Sequence, residues 1–373
     1  MERYVKELEY CTYCPKMCRH ACLVSNALGS ETLIPQAKME LLNMLRRRAI
    51  PWERDYVVPL HGCASCRLCQ QYCVHGNDVA AALQRGRVHG EGLGLVHPAL
   101  SRLPEQFRDR SKLLMEKLHD EFSAHLFAAE AQVGYLPGAD TVDFYIDDVR
   151  DALSVFDLLK LNFIRLVDGP HACPGYALWE SGHHDAARFV AREVVESIRR
   201  YATVVVGDPA AAWLLREKLP AEGFDHNTEI LHLSEYLYVH TERLEIRRTR
   251  PAALYQDPCY LGRYLGVYDP PRRLLARCVE SVKEFFYNRQ EAECCGGGGL
   301  IPHTFPEAAL GQARRRLQEP ALFDVPLVVT CCATCKRTFD EADTGVEVMD
   351  LVNLLAWCLH DPDRPRLPFE RQR

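Results

Sequence analysis

Most of the 17 cysteines in this 373-residue chain fall into three dense groups. Cys11, Cys14, Cys18 and Cys22 form the first, spaced C-x2-C-x3-C-x3-C. Cys63, Cys66, Cys69 and Cys73 form the second, spaced C-x2-C-x2-C-x3-C. The third comprises Cys259, the pair Cys294-Cys295, and Cys331, Cys332 and Cys335. Clustered thiolates bind soft metals, so the fold has to let these loops close around such a site.

A disulfide framework is the other use of so many cysteines, but it belongs to short secreted chains. This chain is too long for a stapled mini-domain, and its C-x-x-C pairs sit too close in sequence for bridging. The opening MERYVKELEYC has no apolar signal-peptide core, and no stretch approaches about 18 consecutive apolar residues. A reducing cytoplasm is therefore expected, with no membrane span and at most peripheral attachment through a partner. A net charge of −6 leaves no electrostatic footprint for nucleic acid. The runs Arg46–Arg48 and Arg314–Arg316 read as solvated helix faces or a docking patch.

The chain reads as α+β overall: a helical, cysteine-bearing N-terminal unit followed by a duplicated α/β unit. Residues 1–97 hold the first two cysteine groups, with a helix from Pro35 that Pro51 stops. Residues 98–140 read as a helical connector ending at Leu136-Pro137-Gly138. Beyond it, Val142–Ile146, Phe163–Val167, Thr203–Val206, Ala253–Gln256 and Leu327–Thr330 read as strands alternating with helices such as Asp185–Arg199. Residues 141–249 and 250–373 align as an internal repeat. Tyr145–Asp148 sets against Tyr255–Pro258, His184–Ala187 against Pro306–Ala309, and Val204–Pro209 against Leu327–Cys332.

The second cysteine group has bacterial-ferredoxin spacing, in which the fourth cysteine ligates the other cluster. That arrangement assigns one [4Fe–4S] cluster to Cys11, Cys14, Cys18 and Cys73, and another to Cys63, Cys66, Cys69 and Cys22. A pair of zinc sites is the competing use of C-x2-C. Residues 11–97, with HGCASCRLCQQYC as the closest stretch, resemble the two-cluster α-helical ferredoxin domain of heterodisulfide reductase. The same domain occurs in the iron–sulfur subunits of glycerol-3-phosphate, glycolate and lactate dehydrogenases.

The order C…CCG…C-x-x-C over about residues 250–358 resembles the cysteine-rich CCG domain of the heterodisulfide reductase family. The resemblance implies a noncubane [4Fe–4S] cluster on Cys259, Cys294, Cys295, Cys332 and Cys335; a cubane or zinc is the alternative. Cys331 is not required by the pattern. The alignment puts Val149, Ala172, Cys173, Pro209 and Ala212 at the matching positions of the first repeat, so that half is expected to be metal-free. Cys173, Cys278 and Cys358 read as small buried side chains.

No P-loop or dinucleotide fingerprint is present, so flavin or nicotinamide is expected on another subunit. The expected function is an iron–sulfur electron-transfer subunit of a multi-subunit oxidoreductase. It would relay electrons between a flavoprotein dehydrogenase or electron-transfer flavoprotein and an acceptor, which could be a membrane quinone-reactive subunit. The alternative is a catalytic, heterodisulfide reductase-like subunit reducing a disulfide. A thiol scaffold or zinc protein is the reading from a different class.

Overall fold

The computed structural model describes residues 2–122, 131–161, 164–241 and 246–359. The N-terminal part is helical. Helix Pro35–Arg46 opens with proline at its first position, where a missing N–H costs nothing, and ends as Arg48 turns to positive φ ahead of Pro51. Its apolar stripe, Met39, Leu42 and Leu45, packs on Leu8, Leu60 and Leu83. Helix Val79–Gly92 starts from Asp78, whose carboxylate accepts from the Ala81 N–H.

The expected connector contains helix Leu103–Phe122, but it also contains the first strand, β1, Val133–Leu136. The strand expected at Val142–Ile146 is not there: helices Ala139–Phe144 and Ile146–Leu158 occupy that stretch. The reason is burial. All four β1 residues are buried, as in a parallel strand covered on both faces, and such a strand shows no polar alternation. Around Val142, buried Thr141 and Val142 are followed by exposed or half-buried Asp143, Phe144 and Tyr145, a helical rather than a strand pattern.

Strands β2 (Ile164–Leu166), β3 (Thr203–Val206) and β4 (Glu229–His232) complete the first sheet, ordered β2-β1-β3-β4 and wholly parallel. Phe163, expected in β2, lies outside the described residues. Strands β5 (Arg250–Tyr255), β6 (Val279–Glu284), β7 (Leu327–Thr330) and β8 (Glu347–Asp350) form a second parallel sheet ordered β6-β5-β7-β8. The two orders are the same, strand for strand.

The repeats exchange helices. Helix Ile146–Leu158, second after β1, packs on Leu351–Leu359, which follows β8; helix Leu233–Thr241, which follows β4, packs on Asp269–Cys278 in the reciprocal way. These contacts join both sheets in one apolar core that includes Tyr135, Val205, Tyr255 and Val329. A second core joins the N-terminal part to the second repeat, through Leu23, Val24, Leu33 and Leu68 against Ile301, Ala308, Phe339 and Val348. Among the described residues, no helix is long and apolar enough to cross a membrane.

Candidate functional site

In the second sheet the chain passes from β5 to β6 on one side and then to β7 on the other. The C-terminal ends of β5 and β7 therefore flank the switch point where such sheets place ligands. Cys259 leaves β5 and opens a turn of π-helix, Tyr260–Tyr264. Cys332 leaves β7 and caps helix Ala333–Glu341, its sulfur accepting from the Cys335 N–H at 3.4 Å. The Gly-rich loop turns its amides on the remaining pair: Gly296 N–H meets the Cys294 sulfur at 3.3 Å and Gly297 N–H the Cys295 sulfur at 3.4 Å.

The five thiols adjoin one another. Cys294 meets Cys259 and Cys295, and Cys335 meets Cys295 and Cys332. Hydrogen bonding among these crowded thiols, ahead of burial, pushes Cys294 and Cys335 well up. Receiving from both drives Cys295 well down. A soft cation would replace the shared protons in such a donor set. Cys331 faces the other way. It lies in the shared core under Tyr255, whose hydroxyl is 3.7 Å from its sulfur, and is not part of the group.

Buried polar groups that no spacing rule pointed to hold this loop in place. The Arg272 guanidinium grips both Asp257 oxygens at 2.7 Å and Glu284 at 2.7 and 2.8 Å. Asp257 also accepts from the Arg289 N–H at 2.7 Å. Gln256 donates to the Glu293 carbonyl, one residue before Cys294, and receives from buried Arg316 at 2.9 Å.

In the N-terminal part, Cys11 and Cys18 have Cys14 and Cys73 as neighbours. Burial pushes their thiols up to about 11 and about 12. The Asn77 amide donates to the Cys11 sulfur at 3.3 Å. Cys63, Cys66 and Cys69 instead have Cys22 beside them, and these four line one cavity with Lys38 and Cys294. Burial again raises Cys63 and Cys69. Among the described residues, no three His, Cys, Asp or Glu side chains converge as a single ion would need; the four thiols of the Cys22, Cys63, Cys66 and Cys69 set line a cavity instead.

The second thiol group and the C-terminal group share a wall. Cys66 reaches the Cys294 thiol, and Arg263 donates to the Cys66 carbonyl and, at 2.7 Å, to that of Ala292. Tyr264 hydroxyl donates to the Ser65 carbonyl at 2.6 Å. Beneath them buried Glu180 accepts from Ser65 at 2.6 Å, Arg87 at 3.0 Å and Tyr260 at 3.3 Å, tying three parts of the chain together. The backbone at Gly298 and Gly299 lies directly against the Cys63 and Ala64 carbonyls, leaving no room for a Cβ. The first thiol group is on the solvent side, edged by Tyr13, Met17 and Val74, which are exposed.

Residues 253–340 match the family model of the CCG cysteine-rich domain. The chain is also similar, at 25% identity over 365 residues, to one of the subunits of the dihydromethanophenazine:CoB–CoM heterodisulfide reductase of Methanosarcina mazei. That alignment covers 89% of this chain and 82% of the relative. A probable iron–sulfur-binding oxidoreductase of Bacillus subtilis is 29% identical over 164 residues, 41% of this chain and 23% of its own length. An EtfAB:quinone oxidoreductase of Syntrophomonas wolfei is 26% identical over 201 residues, 49% and 28% of the two chains.

The first repeat shows what stands where the CCG half has thiols. Strand pairing sets Tyr135 opposite Val205 and Tyr255 opposite Val329, which makes Ala139, not Val149, the counterpart of Cys259. Val149 lies in helix Ile146–Leu158, inside the shared core. Asp208, not Pro209, matches Cys332: it caps its helix by accepting from Ala211 N–H at 2.7 Å, as Cys332 does from Cys335. Ala211, not Ala212, then matches Cys335. Cys173 is half-buried near Asp208, and desolvation pushes its thiol up to about 11. Cys278 and Cys358 meet in the shared core.

Proposed function

We propose that this chain is an iron–sulfur electron-transfer subunit of an oxidoreductase with three clusters. Cys11, Cys14, Cys18 and Cys73 would hold an outer [4Fe–4S] cluster. Cys22, Cys63, Cys66 and Cys69 would hold an inner one, and Cys259, Cys294, Cys295, Cys332 and Cys335 a third, noncubane cluster. When bound, such clusters supply one-electron chemistry at potentials set by charge, hydrogen bonds and burial. The carrying observation is the contact of Cys66 with Cys294, which puts the inner and C-terminal thiol sets side by side.

The protein's own part is to fix that spacing and exclude water. Glu180, Arg263 and Tyr264 clamp the inner loop on the CCG half, and amides of Gly296 and Gly297 donate to its sulfurs. Relatives named as quinone oxidoreductase and heterodisulfide reductase subunits support partners that bring a flavin at one end and a quinone-reactive or disulfide substrate at the other. Direct disulfide reduction is the weaker reading, because Ala139, Asp208 and Ala211 leave the first repeat without a second thiol set.

Anaerobic purification followed by iron, sulfide and zinc analysis tests the assignment. About 12 iron atoms per chain are expected from three four-iron clusters, and Cys295→Ala should remove only the C-terminal paramagnetic signal. Stoichiometric zinc with little iron would refute it. Turnover of disulfides by the isolated chain with a reduced mediator would favour the catalytic reading.

A further inference from the structure

Lys38 is a cation in an unusual place. It lies on helix Pro35–Arg46, 1% exposed, and its ammonium donates to the Gly62 carbonyl at 2.6 Å and approaches the Cys22 sulfur at 3.7 Å. Lysine is almost never this buried without a counter-charge. Among the described residues no carboxylate pairs with it. The groups around it are the thiols of Cys22, Cys63 and Cys69, and its cationic neighbour, Arg87, is already held by Glu180.

Arg263 repeats the pattern on the other side of the inner group. Half-buried, it reaches in between Cys66, Cys259 and Cys294, bonds only to carbonyls among the described residues, and leaves its Nη2 buried without a partner. Among the described residues the outer group has no such cation in hydrogen-bond reach; its direct side-chain donor is the neutral Asn77 amide, at 3.3 Å from Cys11.

We propose that Lys38, aided by Arg263, holds the inner group at a higher reduction potential than the outer, so that electrons entering at the solvent side are drawn toward the CCG half. Both are positioning charges rather than catalytic residues, and the proposal rests on the cluster assignment above. Each transfer moves one electron from the outer to the inner thiol set, adding one negative charge there; no bond or proton changes place. A fixed ammonium in a low-dielectric pocket stabilises that added charge, whereas a neutral amide at the outer set does so less. The structure thus gives the relay a direction that the cysteine spacing does not.

The test is a redox titration of the full-length, anaerobically purified protein, followed by paramagnetic resonance. In the wild type the inner signal, identified by its loss in Cys69→Ser, is expected to appear at higher potential than the outer. Lys38→Met should move the inner signal to lower potential and leave the outer unmoved, and Lys38→Arg should restore most of the shift. If Lys38→Met does not load the inner group, Arg263→Met read in the same way carries the test. An inner signal below the outer in the wild type, or equal shifts of both signals, would overturn the inference while leaving the cluster assignment intact. So would unchanged potentials in the variant. A chain without iron would sink both.

Discussion

Arg272 binds two carboxylates with one buried guanidinium, and the pair it makes with Asp257 is both bidentate and fixed to the turn that presents Cys259. Removing the arginine strands Asp257 as a buried, unpaired charge, a loss of about 3–5 kcal/mol. Arg272→Met is therefore expected to lower the thermal midpoint and to deplete iron from the C-terminal group alone. Metal analysis and resonance spectra of the purified variant check this. Lysine should not rescue it, since an ammonium cannot hold both oxygens in the same plane. His232 offers a pH-dependent counterpart. Its Nδ1 accepts from Ser234 N–H at 3.1 Å while Nε2 donates to the Gly207 carbonyl, and burial lowers its pKa from 6.5 to about 4. The folded state keeps this ring neutral while the unfolded chain takes up a proton below 6.5, so stability is lost as pH falls through that window. Between pH 7.5 and 5.5 the loss is about 1.3 kcal/mol. Half-buried Asp151, raised to about 6 by desolvation, acts in the opposite sense. The measurable quantity is thus the difference between wild type and His232→Gln, whose unfolding midpoints should converge toward the acid end.

Among the elements, the Gly-rich loop does the docking. Gly299 sits at positive φ, 61°, with the Cys63 carbonyl and Ala64 where a side chain would go. Gly299→Ala should loosen the joint by about 1–2 kcal/mol, or roughly tenfold in amide exchange over residues 63–67, without unfolding either part. Protection that stays unchanged there would refute this account of the joint. The loop's cysteines stood out in the sequence because C-x-x-C groups are local: spacing within a few residues states which thiols can close together. Strands β3, β5 and β7 were legible too, as short apolar runs. Strands β4 and β8 are edge strands with charged or half-exposed ends, and β6 alternates exposed Glu280 and Lys283 with less exposed neighbours, so they resembled loops. Lys38, Glu180, Arg263 and Arg272 could not be found this way. Each steadies the thiol-bearing loops through a tertiary contact that no motif records, and Glu180 does so from the first repeat.

At the scale of the whole molecule, the first repeat poses a question: why would a duplicated half persist after losing the thiols that define its twin? Packing gives the answer. Helix Leu351–Leu359 of the CCG half is buried along most of its length, and its partner is helix Ile146–Leu158 of the first repeat. Helix Asp269–Cys278 likewise needs Leu233–Thr241. Neither sheet can cover its own helices, because the shared core takes residues from both. Residues 246–359 expressed alone should therefore lack fixed tertiary structure, with weak near-ultraviolet circular dichroism and strong binding of a hydrophobic dye. Residues 131–359 should fold and melt in a single transition. A cooperative transition from the CCG half alone would show that the repeats are merely adjacent. If they are interlocked as the helix exchange implies, the first repeat serves as the other half of the core that holds five cysteines in register. Substitutions at Val149 or Phe156 would then weaken cluster retention from the far side of the molecule.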